Sequence, residues 1–114
     1  FWCLNRDRDV FLRRRPSSGL LGGMMEIPST EWRQDVALGV FAPQEPPLSA
    51  EWRALPGVVR HTFTHFHLEL RVLAGRIEGK GDEAPGVWHP IADLDRAGLP
   101  SVMAKIARHA LKHG

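Results

Sequence analysis

Cysteine occurs once in this chain of 114 residues, as Cys3. A disulfide framework and a cysteine-based metal site are therefore both excluded within it. In the apolar context "FWCL", Cys3 reads as a small buried hydrophobe in a reducing, cytosolic setting. No apolar run approaches the ~18–20 residues of a membrane span, and no signal-peptide pattern leads the chain. Internal repeats and low-complexity tracts are missing too. So is a phosphate-cradling loop: "SGLLGGMM" has neither the P-loop lysine nor G-x-G-x-x-G spacing, and its glycines read as turn positions. Ser17, Ser18 and Ser29 stand in no nucleophile motif.

What is present suits one packed domain over residues 1–114. Hydrophobic residues make up 43% and charged residues 25%, so a core is feasible and disorder is disfavoured. The net charge is +2 and the isoelectric point about 9.2, a balance that suits a polyanionic partner without requiring one. The chain starts in "FWCL" rather than with Met, as a domain of a longer protein would.

Patterning gives an α+β class, a mixed sheet packed by helices. "FWCLNRDRDVFLRRR" reads as two strands around a polar turn, with Val10, Leu12 and Arg14 on one face and Phe11 and Arg13 on the other. Pro16, Gly19, Gly22, Gly23 and Pro28 mark the following stretch as loop. Ser49 offers a cap for a short helix over 50–55, closed by Pro56 and Gly57. Residues 58–73 form the longest strand-like region, "AGRIEGKGDEAPG" a glycine-rich turn, "VWHPI" a short strand and "ADLDRAGLP" a helical turn. Val102, Met103, Ile106, Ala110 and Leu111 recur at helical spacing over 101–112, with Ser101 as a cap and Lys112 and His113 placed well at the end.

Two constellations offer chemistry. On one unbroken strand, His61, His65, His67 and Glu69 would share a face in "VVRHTFTHFHLEL", a possible zinc set. The simpler reading is a solvated polar face opposite Thr62, Phe66, Leu68 and Leu70, since no supporting outer shell is visible. The second constellation is basic. Arg13, Arg14 and Arg15 beside Arg6 and Arg8, with Arg60, His61, His65 and His67, supply phosphate donors for a nucleic acid.

Three stretches resemble a known family. "RRRPSSGLLGGMMEIPSTEW" is similar to the start of the C-terminal domain of MutY-type adenine DNA glycosylases, in Arg15, Pro16, Gly19, Leu20, Leu21, Gly23, Glu26 and Pro28. His61, Phe63, Thr64 and His65 match the family's "H-x-FSH" loop, with Thr64 where serine is usual. "LPSVMAKI" resembles its closing helix. The resemblance implies a Nudix-like fold, a mixed β-sheet packed between helices, and a domain without chemistry of its own. Its task would be to read 8-oxoguanine opposite adenine through Phe63, Thr64 and His65, with Arg60 and His61 beside them. The parent would be a bacterial, cytoplasmic repair enzyme whose missing N-terminal helical half excises the adenine and holds a 4Fe-4S cluster. Its implied partners are double-stranded DNA containing 8-oxoguanine:adenine mispairs and that catalytic domain. The resemblance also implies a tight loop over 63–65, where periodicity reads one continuous strand.

Two other functions remain open. One is a protein-interaction module on a retired Nudix fold, docking through the segment "FAPQEPPLSAEW". The other, a Nudix hydrolase, needs a glutamate-rich magnesium-binding helix. Here Glu31, Asp35 and Glu45 are scattered and run into prolines, which cannot continue a helix.

Overall fold

A computed structural model describes residues 1–17, 19–30, 32, 46–78 and 85–114. Among the described residues eight strands form one six-stranded and one two-stranded sheet, followed by a short 3-10 segment and a closing helix. In the larger sheet β1 (Trp2–Leu4) pairs antiparallel with β2 (Asp9–Arg14) and parallel with β7 (Leu73–Arg76). β2 also pairs antiparallel with β3 (Met25–Glu26) and β8 (Val87–Pro90), and β7 with β4 (Arg53–Ala54). The remaining strands, β5 (Val59–Thr62) and β6 (His67–Leu70), make a separate hairpin.

The β1–β2 turn is built by Asn5, whose Oδ1 accepts from the Asp7 and Asp9 backbone N–H groups at 2.9 Å each. This is the asparagine turn chemistry that mimics a backbone turn. β2 is buried on both faces, so its simple in–out alternation disappears: Val10, Phe11 and Leu12 are all sealed. Val10 and Leu12 join Trp2, Ile27, Val59 and Leu68 in one apolar cluster, while Phe11 joins Cys3, Leu48 and Ile77 in another. Successive side chains on a strand point to opposite faces, so the sheet carries a core on each side.

Helix α1 (Ser101–His113) covers the first face with Val102, Met103, Ile106, Ala107 and Ala110. Full burial of a side chain such as Met103 contributes about 1.5–3 kcal/mol. The helix starts at Pro100, whose carbonyl oxygen accepts from the Met103 and Ala104 N–H groups. Ser101 is its first residue rather than its cap, and no side-chain cap bond is made. The expected helix over 50–55 is absent too. Arg53 and Ala54 are extended, the Leu55 N–H donates to the Val72 carbonyl, and Trp52 packs edge-on to Phe1. Tertiary pairing overrides the local cap signal there. "AGR" at the start of the expected glycine-rich turn is likewise strand, because Ala74, Gly75 and Arg76 pair with Trp2, Cys3 and Leu4. "VWHP" is β8, and Ile91–Arg96 is the 3-10 segment. Glu31, Asp35 and Glu45 lie outside the described residues, as does 41–45 of the proline-rich segment.

Candidate nucleic-acid interface

The 58–73 region folds back on itself. Val59↔Leu70, Arg60↔Glu69, His61↔Leu68 and Thr62↔His67 face each other across β5 and β6. The turn closes where the Phe63 N–H donates to the Phe66 carbonyl at 2.8 Å. Thr64 and His65 are therefore the two residues of the tip, and both are exposed. Neither has a positive φ, so the tip lacks the mirror-image turns that demand Gly or Asn. That is why periodicity passes through it.

Aromatic rings support the tip from below. Phe63 is half-buried against the main core and stacks on Phe66, with centroids 4.8 Å apart and planes at 26°. His61 meets Phe63 edge-on at 4.7 Å, and Trp32 lies 6.1 Å from Phe63 on centroids. Phe63 is thus the anchor of the turn. Phe66 stays 40% exposed, a flat apolar face next to the tip in sequence. Sequence reasoning assigned Phe66 to an apolar strand face and missed this; the available signal was two phenylalanines flanking a Thr-His dipeptide.

The imidazoles do not converge. His67 Nδ1 is 2.9 Å from Thr62 Oγ1, a cross-strand bond, while His61 packs under Phe63. Among the described residues no group of three or more His, Cys, Asp or Glu is arranged to hold a metal ion. His61 Nδ1 is shielded from solvent and has no hydrogen-bond partner among the described residues. Its pKa falls below the usual 6.5, first by desolvation and then by the charge of Lys105. On the strand before it, Arg60 is exposed, 3.9 Å from Glu69, and its carbonyl accepts from Lys105 Nζ at 3.2 Å.

The Arg13–Arg15 run corrects the basic-surface expectation. Glu26, 3% exposed, holds two of the three arginines. Its Oε2 accepts from Arg13 Nε at 2.8 Å and its Oε1 from Arg15 Nη1 at 2.9 Å. Arg14 Nη1 donates to the Gly23 carbonyl and Arg15 Nε to the Leu20 carbonyl. These bonds hold Leu20 and Gly23 back against the strand, with Gly19 and Gly23 at φ +91° and +75°, a backbone region glycine occupies without penalty. Charge-assisted bonds of this kind satisfy a carboxylate that burial would otherwise penalise. The Arg15 guanidinium also lies over the Trp32 ring, 4.4 Å from its centroid. The motif around Glu26 and the hairpin therefore meet through Trp32.

The model of the NUDIX domain family matches residues 1–109. The chain is 31% identical over 109 residues to adenine DNA glycosylase of Homo sapiens, a match covering 87% of this chain and 20% of that protein. It thus spans about a fifth of the length of that curated relative. Among solved structures it is similar to one described as the complex between the C-terminal domain of mouse MUTYH and human PCNA. That likeness has a TM-score of 0.70 and 20% identity, over 97% of this chain and 85% of the other.

Proposed function

The chain belongs to the NUDIX domain family, and from that premise we propose that it is the non-catalytic lesion-reading domain of an adenine DNA glycosylase in base excision repair. The observation that carries this reading is an exposed threonine, Thr64, at the apex of a hairpin braced by Phe63. Similarity to the human glycosylase over 87% of the chain supports it.

Guanine presents two acceptors in the major groove, N7 and O6. Oxidation at C8 turns N7 into an N–H donor and adds an acceptor, O8. A hydroxyl both donates and accepts, so Thr64 Oγ1 accepts from N7–H of the lesion. The Thr64 and His65 backbone N–H groups have no backbone acceptor among the described residues and serve O8. Plain guanine has no O8 for the backbone N–H groups, and its N7 is an acceptor that the hydroxyl satisfies only by rotating to donate. His65 and Arg60, both exposed, are placed for the flanking phosphates. Threonine's branched Cβ stiffens χ1 and preorganises the contact.

Adenine excision and the 4Fe-4S cluster belong to the helical half of that enzyme. Such a cluster takes four thiolates, and this chain's single cysteine is buried in its sheet. The working complex joins this domain, its catalytic half and an 8-oxoguanine:adenine duplex in the bacterial cytoplasm. A second reading, a protein-docking module, draws on the PCNA complex of the similar MUTYH fold. Ionic strength separates the two, because DNA affinity falls steeply with salt and apolar docking does not.

The test is equilibrium binding of 8-oxoguanine:adenine and guanine:adenine duplexes by the full-length protein. Thr64→Ala is expected to reduce the preference for the lesion about five- to tenfold, the worth of one net hydrogen bond near 1 kcal/mol. Thr64→Ser should retain it. An undiminished preference in Thr64→Ala removes the hydroxyl from the reading.

A further inference from the structure

Helix α1 has two unlike sides. Its buried side is accounted for by the sheet. Its outer side carries Lys105, Arg108 and Lys112, which at 100° per residue fall within about 60° of arc, opposite the buried residues. The helix, residues 101–113, contains no aspartate or glutamate. Among the described residues no carboxylate lies within ion-pair distance of these three cations, whereas Arg13, Arg15 and Arg60 each have an acid nearby. An ordinary solvated helix face mixes both signs, because i,i+4 pairs of opposite charge stabilise it and like charges at that spacing destabilise it. Three cations on one stripe without an acid partner among the described residues point to a polyanion outside the chain.

We propose that this face of α1 is a second DNA contact, gripping the phosphate backbone beside the hairpin that reads the base. The inference rests on the reading of the chain as a DNA-binding domain. Two further observations place the stripe. Lys105 donates to the Arg60 carbonyl, so the stripe begins at the strand that leads to Thr64, about 13 Å from the tip along an extended chain. From Lys105 to Lys112 the helix rises about 10 Å, and a DNA strand presents a phosphate about every 3.4 Å along its axis. The stripe therefore spans about three phosphates of one strand. Such contacts position a duplex and carry no sequence information.

The experiment uses the full-length protein and the triple variant Lys105→Gln/Arg108→Gln/Lys112→Gln, bound to 8-oxoguanine:adenine and guanine:adenine duplexes from about 50 to about 200 mM salt. The slope of log affinity against log salt is expected to flatten by about 2–3, since each phosphate contact supplies about 0.9. The change should be equal on both duplexes, leaving the preference for the lesion unaltered. A wild-type slope in a variant with a wild-type unfolding midpoint overturns the proposal and leaves the stripe to solvent or to an acidic protein. Should the triple variant unfold, Arg108→Gln/Lys112→Gln keeps the Lys105–Arg60 bond and should flatten the slope by about 2; an unchanged slope there is equally fatal. Thr64→Ala changes the ratio between duplexes without changing the slope. Failure of the lesion reading and failure of the helix contact thus appear in different numbers.

Discussion

Arg13, Arg14 and Arg15 carry the same positive charge as Lys105, Arg108 and Lys112, and the molecule uses the two trios in opposite ways. The first trio is consecutive on a strand end, where neighbouring side chains diverge. Two of its members converge on the buried carboxylate of Glu26 and the third holds the Gly23 carbonyl. The second trio recurs at i, i+3 and i+7 on a helix, where spacing keeps side chains on one face. None of its members has an acid partner among the described residues. A run of charges in a sequence is therefore a poor guide to a charged surface. Periodicity decides which cations can act together, and buried acids decide which are already paired.

Removing Glu26 should break this contrast most severely. Glu26→Ala leaves Arg13 and Arg15 beside a buried gap with no carboxylate, and loss of one partner of a buried pair costs about 3–5 kcal/mol. Urea unfolding is expected to show that loss. Glu26→Gln, which keeps an acceptor, should lose less. A change below about 1 kcal/mol in Glu26→Ala would place Arg13 and Arg15 with the solvated cations after all.

A smaller loss is expected at Phe63, where the internal trio and the reading tip meet. Glu26 holds Arg15, Arg15 lies over Trp32, and Trp32 faces Phe63. Phe63→Ala removes the ring on which Phe66 stacks. The site is half-buried, so about 2 kcal/mol of stability should go, under the 3–5 typical of a core phenylalanine. DNA binding should lose lesion preference with little change in salt slope, because the helix stripe is untouched. A flattened slope would show that the hairpin and the stripe form a single unit rather than two.

The sequence made some of this legible and hid the rest for identifiable reasons. The closing helix is plain because Val102, Met103, Ile106 and Ala110 repeat with one period and all of them are buried. The α+β class follows from such elements, and the mixed sheet agrees with it. The hairpin tip is invisible to periodicity, because Thr64 and His65 turn the chain without a positive φ. It entered only through the resemblance to the Phe-Ser-His loop. The pairing of Arg13 and Arg15 was hidden because Glu26 lies 13 and 11 residues away in sequence, and composition cannot match partners across a loop. The false helix at 50–55 has the same origin: Ser49 signals a cap, but β7 offers Arg53 and Ala54 a ladder. Phe66 fits strand alternation, and its one signal, a second phenylalanine beyond the Thr-His dipeptide, gains meaning only once the two rings are seen to stack.

The smallest expected effect concerns the imidazole between the two regions. His61 lies under Phe63 with Nδ1 shielded and unpaired among the described residues, and Lys105 is close enough to oppose its protonation. Desolvation, the larger cause, and that charge both hold its pKa below the usual 6.5. The unfolded chain therefore takes up the proton first as pH falls through about 6.5. Stability from this group is complete above that value, declines as pH drops below it, and stops declining beneath the folded-state pKa. The other histidines titrate as well, so the informative quantity is the difference between wild type and His61→Gln. That difference in unfolding midpoint should be constant above about pH 7 and move in the variant's favour toward about pH 5. Lys105→Gln should reduce the movement without abolishing it, because desolvation remains when the charge is gone. Parallel curves for wild type and His61→Gln would mean that water reaches Nδ1, and that the ring stack beneath the tip is looser than its geometry indicates.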